Sequence, residues 1–126
     1  MTVLDASALL AYLHGEPGSA RVQRALTEEA IVSAVNLAEV LSKLADAGHD
    51  PEVVRDRVGV LPLDIVPFDD AQAVEGALLR TSTAEAGLSL ADRACLALGR
   101  RLGRGVLTAD RAWIGLIPGL EVELIR

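Results

Sequence analysis

Four acidic residues sit where carboxylates can do chemistry. Asp5 closes the apolar run "TVL", and Asp110 follows the run "VLT" by two residues. Asp92 lies in the first turn of the helical segment "SLADRACLALGRRLG". Glu39 lies inside a second helical segment, "AVNLAEVLSKLADAG". Each has an ordinary explanation. Asp5 and Asp110 suit helix N-caps, because Asp accepts the free N–H groups of a first turn. Asp92 complements a helix macrodipole. Glu39 needs no cap, but Lys43 follows one turn later and offers an exposed ion pair.

The functional alternative is convergence. Carboxylates gathered at one place must either raise their pKa values or be neutralised by cations. An oxygen-only ligand set suits hard divalent ions, Mg²⁺ or Mn²⁺. Asn36, one turn before Glu39, puts a second polar group on the same helix face. Thr108 and Asp110 are two apart on an extended backbone and share one side. Ser7 is either a competing cap or a partner of Asp5. The two histidines, His14 and His49, are far apart, and Cys95 is the single cysteine, so zinc and disulfide chemistry are disfavoured. Cys95 has no histidine nearby and reads as core.

Strand-like runs at "TVL", "AIVS", "LDIVPF", "GVLT" and "EVELI" alternate with helical segments. One long helix is expected from Asp69 or Asp70 to Gly87, and another after Ser89, stopped by Gly103. Alternating strands and helices imply an α/β fold with a parallel sheet covered on both faces. Ligands of such sheets bind beyond the carboxyl ends of the strands. Asp5 and Asp110 follow two such ends. The 126 residues fit a single domain, 1–126, and no repeat or linker divides them.

Composition narrows the function. The chain is 51% hydrophobic but 2% aromatic, so its core is aliphatic and base-stacking platforms are disfavoured. A net charge of −6 argues against nucleic-acid binding on charge alone. Two bound divalent ions would, however, remove four of those negative charges. Eleven of the twelve basic residues are Arg, the better fork for phosphate. No leader pattern opens the chain, and no apolar run approaches the roughly 18 residues of a membrane helix. The expectation is a cytoplasmic protein that does not enter a membrane.

In order and separation, four motifs resemble the PIN-domain family, and most of all its VapC-type toxin ribonucleases. They are "VLDAS", "SAVNLAEVLSKL", "GLSLADRACLALGRRLG" and "GVLTADRAW". The resemblance spans the chain and is one of layout alone over residues 50–85. It implies a three-layer α/β/α fold with a central parallel sheet of about five short strands flanked by helices. It implies Asp5, Glu39, Asp92 and Asp110 as catalytic, metal-binding acids, supported by Ser7, Asn36 and Thr108. The implied cofactor is Mg²⁺ or Mn²⁺, one or two ions, and the implied reaction is hydrolysis of RNA phosphodiesters. A cognate VapB-like antitoxin and a homodimer are the implied partners.

Substrate binding then needs positive charge. Arg93 and Arg111 flank the acids and are candidate RNA contacts. Arg100, Arg101 and Arg104 either extend that surface or complement a helix C-terminus. Glu16 reads as a solvated acid or a pocket-edge one, and Trp113 as packing beneath the site. Other classes fit less well. A phosphoacceptor receiver domain needs a late lysine, and the only one is Lys43. Haloacid-dehalogenase-like phosphatases need Asp where Ser7 stands. A PIN-like binding module without catalysis, or a PIN nuclease outside any toxin–antitoxin pair, remains the alternative.

Overall fold

The computed structural model describes residues Met1–Arg126. Five short strands form one sheet: β1 (Thr2–Leu4), β2 (Ala30–Ser33), β3 (Leu63–Val66), β4 (Val106–Thr108) and β5 (Val122–Leu124). Every pairing is parallel, and the order is β3-β2-β1-β4-β5. The helices are α1 (Ala6–His14), α2 (Ser19–Thr27), α3 (Ala34–Asp46), α4 (Pro51–Val58), α5 (Asp70–Leu78), α6 (Arg80–Thr83) and α7 (Leu90–Leu102). A 3-10 turn spans Arg111–Trp113. No helix is long and apolar enough to cross a membrane.

Local chemistry sets the boundaries. Ser33 caps α3 by accepting the Val35 amide. Asp50 caps α4, with Pro51 preset at the first helical position. Ser89 and Asp92 form a reciprocal capping box at α7, and Gly103 ends that helix at φ 63°. The long helix expected to run to Gly87 is instead broken. α5 stops at Leu78, α6 has four residues, and turns follow. The Ser82 and Thr83 hydroxyls both donate to the Leu79 carbonyl, at 3.2 and 2.7 Å. Such back-bonding favours a bend, and the Thr83 amide still donates to the same carbonyl at 3.1 Å.

Alternation along the strands feeds two faces. Val3, Ile31 and Val106 pack with Cys95, Leu96 and Leu98 of α7 and with Trp113. Leu4, Ala30 and Leu107 pack on the other face with α1 and α2 through Ala8, Ala11, Val22 and Leu26. Val32 joins Leu9, Val40 and Leu44, which locks α1 to α3. Helices on both faces make three layers, as expected. Each fully buried Val or Leu contributes about 1.5–3 kcal/mol. Trp113 is the one aromatic among the buried residues, so the core is aliphatic as the composition implies.

The chain leaves β1 toward β2 and β3 on one side, while β4 and β5 lie on the other. The strand order therefore reverses between β1 and β4. Crossovers depart in opposite directions at such a point and open a crevice at the strands' carboxyl ends. Asp5 follows β1 there, and Thr108 ends β4 beside it, because Leu4 is in register with Leu107.

Candidate active site

Asp5 caps α1 and is only 4% exposed. Its Oδ1 accepts from the Ala8 amide at 2.8 Å and the Ser7 hydroxyl at 2.7 Å. Its Oδ2 accepts from Thr108 Oγ1 at 2.6 Å and from Ser7 Oγ at 2.9 Å. Burial pushes the carboxyl up to about 6, against the lowering pull of these hydrogen bonds, and the nearby charge of Asp92 adds to the rise.

The two hydroxyls tie β1 to β4. Ser7 Oγ also accepts the Ala109 amide at 2.9 Å, and Thr108 Oγ1 accepts the Asp110 amide at 3.0 Å. Thr108 is fully buried. Asp110 itself is exposed, and its Oδ1 caps the 3-10 turn by accepting the Ala112 amide at 2.9 Å. Asp92 uses Oδ2 to accept the Ser89 amide at 2.9 Å. The capping roles of Asp92 and Asp110 each employ one named oxygen of a two-oxygen group.

α3 brings the other polar groups. Asn36 is 1% exposed and donates from Nδ2 to the Ala91 carbonyl at 3.0 Å, directly before Asp92. Glu39 Oε2 lies 3.5 Å from Lys43 Nζ, the ion pair expected from their spacing. Its other oxygen, Oε1, is buried with no partner, and so is Asn36 Oδ1. Cys95 is buried behind this group. Burial raises its thiol well above the usual range, and the charges of Asp5, Asp92 and Glu39 add to that. All three acids thus lie near enough to Cys95 for their charge to act on it.

As they stand, no three acidic, histidine or cysteine side chains are grouped closely enough to enclose one ion. The donor set is nevertheless suited to a divalent cation. It consists of hard oxygens, and two of them are buried acceptors lacking any donor. An unsatisfied buried acceptor costs about 1–3 kcal/mol, which a cation or an ordered water would remove.

The basic residues divide into two groups. Arg93 follows Asp92, is half-buried, and donates from Nη1 to the Leu88 carbonyl at 3.1 Å, with its Nε unpartnered. Arg111 is exposed in the turn that Asp110 caps. Arg100 and Arg101 lie at the far end of α7, and Arg104 lies beyond Gly103, so it does not continue their helix face. That end adjoins the start of β4, opposite the carboxyl ends where Asp5 sits. Arg101 is taken up by Asp69 and Glu75 at 4.0 and 3.8 Å. Glu16 pairs with His14 and Arg126 on the surface, at 3.2 and 3.5 Å. Trp113, 1% exposed, packs in the core beneath the sheet rather than offering a stacking face.

Comparison with solved structures finds whole-chain likeness. A toxin–antitoxin complex from Klebsiella pneumoniae aligns at TM-score 0.75 and 21% identity, over 100% of this chain and 98% of that one. DNA-bound VapBC from Salmonella typhimurium aligns at TM-score 0.75 and 19% identity, over 99% and 98%. VapC20 of Mycobacterium tuberculosis, a sarcin–ricin-loop-cleaving toxin, aligns at TM-score 0.67 and 17% identity, over 84% and 87%. At these identities the likeness is one of fold. Comparison with curated protein sequences finds no match. The PIN domain family model matches residues 2–115, which is most of the chain. Together with the all-parallel sheet, that match places this chain in the PIN domain family.

Proposed function

We propose that this chain is a divalent-metal-dependent endoribonuclease of the VapC type, the toxin of a toxin–antitoxin pair. The observation that carries the reading is the buried Asp5 at the β1/β4 crevice, close to Asp92, with the donorless Glu39 Oε1 on the facing helix. Solved relatives of the same fold that are toxin–antitoxin complexes support the antitoxin partner. A relative that cleaves the sarcin–ricin loop supports RNA as the substrate class. Residues 1–126 act as one domain, in the cytoplasm, as a homodimer that binds a VapB-like antitoxin.

Asp5, Glu39, Asp92 and Asp110 would hold Mg²⁺ or Mn²⁺. When bound, the ion supplies Lewis-acid charge to the phosphate and lowers the pKa of water. The chain's own residues do the positioning. Thr108 and Ser7 hold the Asp5 carboxylate in one orientation from both sides. Asn36 clamps α3, which carries Glu39, to the first turn of α7, which carries Asp92. Asp110 stands on a turn that Thr108 anchors, so its side chain can leave the Ala112 amide without moving β4. Arg93 and Arg111 receive the phosphate backbone.

The test is RNA end mapping. Purified protein is incubated with total cellular RNA and Mg²⁺ or Mn²⁺, beside an Asp5→Asn variant and a chelator control. Discrete new ends that vanish in both controls are expected. Identical ends in all lanes, with intact antitoxin-free protein, would overturn catalysis and favour a binding module.

A further inference from the structure

Asn36 and Glu39 lie one turn apart on the same face of α3, and each carries one buried oxygen with no donor. In Asn36 this oxygen is not an arbitrary assignment. The amide nitrogen is committed to the Ala91 carbonyl at 3.0 Å. Flipping the amide would set oxygen against oxygen. Oδ1 is therefore held as an acceptor, at 1% residue exposure, beside the peptide that leads into Asp92. No donor of the chain reaches it.

The acids alone do not complete a chelate, since no three are grouped tightly enough to enclose an ion. A hard cation readily takes neutral carbonyl oxygens beside carboxylates. A neutral ligand also adds no like charge to the carboxylates of the site.

We propose that Asn36 Oδ1 is itself a ligand of the divalent cation, sharing it with Glu39 Oε1, and is more than a strut between α3 and α7. This rests on the metal-site reading above. Asn36 thus has two separable tasks on two atoms: Nδ2 fixes the helices, and Oδ1 faces the ion.

Two variants separate those tasks. Asn36→Ala removes both atoms. Asn36→Asp keeps an oxygen at the Oδ1 position and replaces the donor to Ala91 with an acceptor. Mn²⁺ affinity is measured by calorimetry on the full chain, together with thermal midpoints with and without Mn²⁺. Asn36→Ala is expected to weaken Mn²⁺ roughly tenfold, equivalent to about 1.4 kcal/mol, and to shrink the Mn²⁺-induced rise in midpoint. Asn36→Asp is expected to lower the metal-free midpoint yet bind Mn²⁺ at least as tightly as the wild type. Equal weakening by both variants, or a lower metal-free midpoint with unchanged affinity in Asn36→Ala, would reduce Asn36 to a strut and overturn the proposal. A wild type that binds no Mn²⁺ would instead remove the metal-site reading on which it rests.

Discussion

Thr108 donates its hydroxyl hydrogen to Asp5 Oδ2 at 2.6 Å while accepting the Asp110 amide at 3.0 Å. One buried side chain thereby joins the end of β1 to the turn that follows β4. It makes the position of one acid depend on that of another, although they lie 105 positions apart in the chain.

Thr108→Val keeps the shape and removes both bonds. The Asp110 amide loses its acceptor, and Asp5 loses a donor that favours its charged form. We expect a loss of about 1–3 kcal/mol in stability, read as a lower denaturant midpoint. The Asp5 carboxyl should titrate higher still, read by carbon NMR. An unchanged midpoint and titration would show that the bond has no such role.

The pH dependence follows from Asp5. Its carboxyl rises from 3.8 to about 6 on folding, so the folded state prefers the protonated form. Its contribution to stability is fully present below about 4 and is lost as pH rises through about 6. The rise corresponds to roughly 3 kcal/mol at most. Metal-free Asp5→Asn should therefore be more stable than wild type at pH 7, with the gap closing below pH 4. Saturating Mn²⁺ should stabilise the wild type at pH 7 and leave Asp5→Asn unmoved. Denaturant melts across pH 3–8 with and without Mn²⁺ test all three statements.

RNA contacts are expected beside the acids and not at the far end of α7. Arg93→Ala and Arg111→Ala should each weaken RNA binding and reduce its salt slope by about one. Arg100→Ala and Arg104→Ala should leave both quantities within error. Titrations of a labelled RNA with Asp5→Asn protein, over a range of salt, separate binding from cleavage. Equal effects from both pairs would place the RNA path elsewhere.

The C-terminus is packed against the turn between α1 and α2. Gly18 has φ +96°, and a Cβ there would lie 2.7 Å from the Ile125 carbonyl oxygen. Arg126 Nη1 donates to the Pro17 carbonyl at 3.1 Å. Gly15 also has positive φ, at +66°, but open space around it. Gly15→Ala should cost the left-handed strain alone, about 1–2 kcal/mol. Gly18→Ala should cost more, because backbone must also move. Comparable thermal midpoints for the two variants would contradict that clash.

Elements were legible where one local rule dominates. Ser89 and Gly103 mark helix ends in the sequence because caps and left-handed stops involve neighbours a few residues apart. The strand runs, being short and apolar, were legible for the same reason. The helix expected to reach Gly87 was not, because periodicity does not register hydroxyls bonding back to the Leu79 carbonyl.

The family, the parallel α/β class and the identity of the candidate acids were contained in residue type, order and spacing. Those properties depend on the chain alone. The arrangement of the polar groups depends on long-range packing. Strand order sets Asp5 beside Thr108, and α3 against α7 buries Asn36 Oδ1 and Glu39 Oε1 without donors. Asp5's high pKa arises from burial by segments distant in sequence, whereas Asp92 and Asp110 also serve local caps. The long-range arrangement does not follow from local spacing, because desolvation and hydrogen-bond satisfaction are set by every segment that closes over a group.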